Sequence, residues 1–168
     1  SFPPGTSINY GQTGCDECLP GLYSNFSGAI DCYECPDGTY SSNYGSTNCT
    51  LCPPGTIPNY NQNDCSPCPS GQYSSLSGST ECIQCPDGTY SDSGATECLK
   101  CPPGKIPNSN QNDCEDCYYG YYSNLAGAKE CIICPENTYS DEYGSTNCKK
   151  CSEGYCSDPG SSYCSECD

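Results

Sequence analysis

The chain has 168 residues, among them 21 Cys and 18 Gly, while Ile, Leu and Phe together number 15 and Val, Met, Trp and His are absent. So small an aliphatic stock cannot fill an ordinary core, and cysteine at this density marks a disulfide scaffold instead. The net charge of −16, with five lysines against 21 acidic residues, excludes the electrostatics of a nucleic-acid or anionic-membrane binder; the lack of His excludes Ser/His and Cys/His catalysis and His metal sites.

Taken from the start, the first unit runs from Phe2 to Cys15. Phe2-Pro-Pro-Gly5 opens it, and every later unit opens on Cys in that place. Ten Cys-x-x-Cys pairs follow one another at steps of 16 or 17 residues: Cys15/Cys18, Cys32/Cys35, Cys49/Cys52, Cys65/Cys68, Cys82/Cys85, Cys98/Cys101, Cys114/Cys117, Cys131/Cys134, Cys148/Cys151 and Cys164/Cys167. Only Cys156 stands outside the pattern. The second Cys of each pair opens a module that reads Cys-Pro-x-Gly-x-Tyr-Ser, a polar stretch, Gly, three residues, Cys. We number the modules 1 to 10, opening at Phe2, Cys18, Cys35, Cys52, Cys68, Cys85, Cys101, Cys117, Cys134 and Cys151.

Two positions per module call for a left-handed backbone, because only Gly or Asn occupies them. The first holds Gly5, Gly21, Gly38, Gly55, Gly71, Gly88, Gly104, Gly120, Asn137 and Gly154. The second holds Gly11, Gly28, Gly45, Asn61, Gly78, Gly94, Asn110, Gly127, Gly144 and Gly160. Between them stand Tyr23, Tyr40, Tyr73, Tyr90, Tyr122 and Tyr139, with Ile57 and Ile106 in two modules. Tyr and Ile suit short strands, so each module is expected to be a small hairpin with the tyrosine packed against the next module's disulfide.

A longer period overlies the short one. Modules 1, 4 and 7 share Pro-Pro-Gly followed by Asn9, Asn59 or Asn108; modules 2, 5 and 8 share Tyr-Ser and then Phe26, Leu76 or Leu125; modules 3, 6 and 9 share Thr-Tyr-Ser. The predicted fold is thus a small disulfide-rich one, mostly irregular with short β-hairpins. It forms an elongated tandem-repeat rod in a three-module superrepeat. Residues 1–17 form an N-terminal half-module lacking its opening Cys, 18–150 the tandem repeats, and 151–168 a C-terminal module carrying the extra Cys156. The longest apolar pair near the middle of the chain, Ile132-Ile133, is far too short to span a bilayer, so direct membrane insertion is not expected.

Regular Cys-x-x-Cys pairs admit zinc, thiol redox chemistry or structural disulfides. The uniform spacing distinguishes no within-site gap from a between-site gap, which favours disulfides and no cofactor. Connectivity does not follow from spacing. The neatest scheme closes each module on itself: Cys18–Cys32, Cys35–Cys49, Cys52–Cys65, Cys68–Cys82, Cys85–Cys98, Cys101–Cys114, Cys117–Cys131, Cys134–Cys148 and Cys151–Cys164. Cys15, Cys156 and Cys167 remain. Either Cys156 and Cys167 bridge and leave Cys15 alone, or Cys167 bonds Cys15 of a neighbouring molecule.

Segments such as Cys35-Pro-Asp-Gly-Thr-Tyr-Ser with Gly45-Ser-Thr-Asn-Cys49 resemble the ephrin-receptor-like cysteine-rich repeat. The same frame is similar to the one-disulfide submodule of tumour-necrosis-factor receptors and to protist cysteine-rich surface proteins. The resemblance implies a secreted or cell-surface disulfide ladder in adhesion, receptor or coat proteins and no single activity. The frame is broken at Phe2, at Asn137 and around Cys156.

Asn25-Phe-Ser and Asn48-Cys-Thr are glycosylation acceptors by pattern, so glycans are candidate partners. Asn61–Asp64 and Asn110–Asp113 both read Asn-Gln-Asn-Asp, a turn sequence before it is a calcium loop. Asp37, Asp87 and Glu136 recur at one module position, as surface residues do, and form no unique catalytic pair. The expectation is a non-enzymatic extracellular structural protein, a filament subunit or surface-coat element. Its C-terminal Cys167 stands where a module would open, which suggests head-to-tail association of copies. The alternative is the stalk or ligand-binding region of a cell-surface receptor.

Overall fold

The computed structural model describes residues 1–168 and contains no helix. Twenty short strands, β1 (Thr6–Ile8) to β20 (Ser165–Glu166), pair into ten two-stranded hairpins. In each, the first strand follows the module's first left-handed residue, a glycine in all but module 9, where it is Asn137, and the second runs into the closing Cys-x-x-Cys pair. Glycine supplies the turn, and the Thr hydroxyl fixes it: Thr6 and Thr39 Oγ1 donate to the carbonyls of Pro3 and Pro36, each at 2.6 Å.

Nine disulfides close modules 2 to 10 on themselves, in the order Cys18–Cys32 to Cys151–Cys164, with Cα–Cα distances of 5.7–5.9 Å. A tenth links Cys156 to Cys167. Cys15 is free, since its module presents Phe2 in place of a partner. Closing a loop of this size is worth about 3 kcal/mol in the chain-entropy account, which a chain with so little apolar surface needs.

The chain divides into two compact units. The first comprises Ser1–Pro69, Tyr73–Ile83 and Ser93–Glu97; the second comprises Ser70–Gln72, Gln84–Asp92 and Cys98–Asp168. Both use one joint between consecutive modules, made of main chain. In the first unit, Gly5 N donates to Ser24 O (2.8 Å), Cys18 N to Gly5 O (2.9 Å) and Gly28 N to Phe2 O (2.9 Å). In the second, Gly104 N donates to Ser123 O (2.8 Å), Cys117 N to Gly104 O (2.9 Å) and Gly127 N to Cys101 O (2.8 Å).

The core is not where the tyrosines are. Tyr23, Tyr40, Tyr73, Tyr90, Tyr122 and Tyr139 are only half-buried. The next residue on is the buried one: Ser24, Ser41, Ser74, Ser91, Ser123 and Ser140 are at most 5 % exposed. Beside them lie the opening half-cystines from Cys18 to Cys134, also at most 4 % exposed. A serine fits because the space between modules is one main-chain thickness wide, and its hydroxyl finds partners there. Ser41 Oγ accepts from Gly21 N (2.8 Å) and donates to Leu22 O (3.1 Å), both in the preceding module. No buried side-chain polar atom lacks a partner.

The first left-handed position holds in all ten modules, from Gly5 at φ 85° to Gly154 at 86°, with Asn137 at 63°. Space adds a second constraint. A Cβ on Gly38 would lie inside the contact distance of the Gly78 carbonyl, two modules along. The same holds for every such glycine from Gly5 to Gly120, whereas Gly154 has nothing within 4 Å. We therefore expect Gly38→Ala to lower stability by about 3 kcal/mol or more, summing the left-handed penalty and the overlap. Gly154→Ala carries the first term alone and costs about 1 kcal/mol. Denaturant midpoints of the two oxidised variants compare them directly. Equal shifts would mean that the carbonyl contact is unimportant. Thiol titration of the unreduced, denatured chain should find one reactive group, Cys15, and twenty more after reduction.

Candidate functional site: the stacking faces

The second left-handed position departs from expectation in modules 1, 4 and 7. There the positive φ belongs to Gln12 (55°), Gln62 (51°) and Gln111 (53°), one residue after Gly11, Asn61 and Asn110. Hairpin length is the reason. Modules 4 and 7 pair three residues per strand, β7 (Thr56–Pro58) with β8 (Cys65–Pro67) and β13 (Lys105–Pro107) with β14 (Cys114–Asp116). In module 1, β1 likewise pairs three residues with β2 (Cys15–Glu17). Modules 2, 3, 6, 8 and 9 pair two. The extra pair moves the turn along by one residue. Asn59 N then donates to Asp64 O (3.0 Å) and Gln62 N to Asn59 O (3.0 Å). The Asn-Gln-Asn-Asp segments are these turns, their side chains spent on it: Asn59 Oδ1 accepts from Asn63 N at 3.1 Å and Asp64 Oδ1 from Cys65 N at 2.8 Å.

Moving the turn removes the glycine N–H that elsewhere reaches the preceding module. The glutamine side chain replaces it. In the first unit, Gln62 Nε2 donates to Cys35 O (2.8 Å), Pro36 O (3.1 Å) and Thr39 O (3.2 Å). In the second, Gln111 Nε2 reaches Cys85 O (3.0 Å), Pro86 O (3.1 Å) and Thr89 O (3.1 Å). Composition does not flag these residues. Only the recurrence of Gln12, Gln62 and Gln111 at one phase of the long period would have found them.

Elsewhere the surface is polar and open. Asn25 and Asn48 are exposed, as are Asp37, Asp87 and Glu136. No group of His, Cys, Asp or Glu is arranged to hold a metal ion. No helix is long and apolar enough to cross a membrane. One aromatic cluster stands out: Tyr118, Tyr119 and Tyr143 have ring centroids 4.3–5.3 Å apart. Hydrogen bonding with Tyr118, then burial and the neighbouring phenols, holds the Tyr143 phenol above its ordinary range.

From module 9 onward the pattern changes. Asn137 replaces the first glycine, and Cys156 takes the tyrosine position and bridges to Cys167. Cys167 N still donates to Gly154 O (3.0 Å), as an opening residue does. Cys167 is thus bonded to Cys156 within the chain.

Ten disulfide-linked or disulfide-framed hairpins joined by main-chain hydrogen bonds define a tandem cysteine-rich repeat protein of the extracellular kind, since bridges at this density persist only in oxidising surroundings. The chain belongs to the family described as tyrosine-protein kinase ephrin type A/B receptor-like, which matches residues 21–60, 55–93, 71–109, 104–151 and 120–167. That family is a cysteine-rich receptor-like repeat and not an enzyme family. No curated protein matches the chain.

Removing the replacement contact tests its weight. Gln62→Ala leaves the Cys35 carbonyl without its donor and should cost about 1–3 kcal/mol, whereas Gln12→Ala should cost a few tenths at most, in keeping with an exposed position. Thermal unfolding of both variants separates them.

Proposed function

We propose that the protein is a non-enzymatic structural element of an extracellular coat or filament. The observation that supports this is a main-chain joint repeated with the same atoms along the chain, from Gly28 N to Phe2 O to Gly160 N to Cys134 O: hydrogen-bonding capacity is invested in holding modules to one another. The acidic surface keeps such an array soluble and apart from anionic surfaces.

Glycans at the exposed Asn25 and Asn48 fit the same setting, and deglycosylation by an amidase should then lower the native mass. The family's receptor-like description favours a second reading, the stalk or ligand-binding part of a surface receptor.

Antibody labelling of intact and detergent-stripped source cells, read by electron microscopy, tests the proposal. A regular layer or fibre carrying the label supports it. Dilute, detergent-soluble label would favour the receptor reading. Reduction should unfold the purified chain, because the apolar residues other than Cys cannot hold it; a compact scattering profile after complete reduction would contradict this.

A further inference from the structure

Three tyrosines meet where module 9 closes on module 8. Module 8 opens with Tyr118-Tyr119, at the two places where modules 1 to 7 and module 9 each carry at least one proline. Tyr143 stands just before the second glycine of module 9. The corresponding places hold Leu19, Pro20 and Tyr44 in modules 2 and 3, and Pro69, Ser70 and Ser93 in modules 5 and 6. Main chain fixes the rings from both sides. Gly144 N, next to Tyr143, donates to Cys117 O, next to Tyr118, at 2.9 Å, and Ser123 N donates to Ser145 O at 3.0 Å. The ring centroids of Tyr119 and Tyr143 are 4.3 Å apart, with planes 35° from parallel. Tyr118 meets both rings edge-on, at 5.3 and 5.2 Å. The other tyrosine pair, Tyr23 and Tyr33, is 6.2 Å apart. The three rings are also open to solvent, Tyr119 at 39 % exposed being the most covered.

We propose that Tyr119 and Tyr143 are a site of oxidative modification, joined as a dityrosine cross-link by a peroxidase acting with hydrogen peroxide. Composition directs oxidation to the phenols. The chain has no Met, Trp or His, and every Cys but Cys15 is already bridged, so the side chains that compete for oxidising equivalents are missing or spent. Cys15 belongs to the other compact unit. Sixteen tyrosines remain, and what decides which of them couple is whether a phenoxyl radical finds a second phenol. Tyr119 and Tyr143 are held in contact by the joint, so a fixed near-attack geometry replaces a collision.

In the reaction each phenol gives up one electron and its hydroxyl proton. The two phenoxyl radicals join through the ring carbons ortho to oxygen, which forms one C–C bond. The C–H bonds at those two carbons then break, and the protons go to the two oxygens, so both hydroxyls are restored. The protein loses two hydrogen atoms in all, and one hydrogen peroxide takes them up and becomes two waters. The product is a bond between modules 8 and 9 that reducing agents do not cleave, at a joint whose disulfides lie within modules and never across it. The inference concerns these rings alone and holds for a coat element and a receptor stalk alike.

The test treats the full, disulfide-bridged chain, with Cys15 alkylated, with a haem peroxidase and hydrogen peroxide, and reads dityrosine fluorescence and intact mass. The expected product is a monomer lighter by two hydrogen atoms. After reduction and tryptic cleavage, the new bond should link peptide 106–129 to peptide 130–149. Monomer dityrosine should fall about tenfold in Tyr119→Phe and in Tyr143→Phe, which lose the positioned partner. It should be unchanged in Tyr44→Phe, which alters the corresponding place of module 3. Before alkylation each variant is checked for a single titratable thiol, the mark of a correctly bridged chain, so misfolding is read separately. Dityrosine confined to dimers, or a monomer bond between other peptides, overturns the site. Undiminished monomer product in Tyr119→Phe or Tyr143→Phe, or an equal loss in Tyr44→Phe, overturns the assignment of the pair. Unmodified protein under conditions that couple free tyrosine overturns the proposal outright.

Discussion

The structure depends on main chain meeting main chain with no side chain between. The first glycine of each module from Gly5 to Gly120 lies against a carbonyl two modules along, at a distance that no Cβ would allow. The residues around that contact must be small, and they are: half-cystine, serine, glycine and the threonines Thr6 and Thr39 fill the buried positions, with Ala29 the one aliphatic residue among them. This explains a composition that would otherwise predict disorder.

A core so thin gives little hydrophobic stabilisation, so order comes from elsewhere. Each closed loop removes entropy from the unfolded chain. Each joint then satisfies the carbonyls and amides that the loops leave unpaired, at about one net kilocalorie per bond. The two contributions need each other. Loops alone would be flexible rings, and unlinked modules would expose their main chain to water.

The long period is the same joint solved in different ways. A three-residue hairpin in modules 4 and 7 takes the closing glycine N–H out of reach, and Gln62 and Gln111 restore the donor with a side chain. The same modules place Pro58 and Pro107 where others have the buried serine, which removes one donor to the module that follows. Because all of this lies inside, the outer surface is free to vary. It carries the acids, the exposed ion pairs of Lys105 with Asp116 and Lys149 with Asp141, and tyrosines such as Tyr10 and Tyr60, which are fully exposed.

Much was legible in the residues alone. Cysteine spacing marks the modules, the recurrence of Gly or Asn marks the first turn, and the absence of any long uninterrupted segment rules out helices; these are local, and local constraints repeat visibly in a tandem sequence. The tertiary structure decided the rest. Ser41 and Tyr40 are neighbours in sequence with equal claims to the interior, and only the width of the joint buries the serine. Asn61 and Gln62 both tolerate a left-handed turn, and only the register of the hairpin assigns it to Gln62. Gly38 and Gly154 read alike, yet one meets a carbonyl and the other meets nothing. In each case the deciding atom belongs to another part of the chain, at a distance set by packing, and no spacing within one module contains that information.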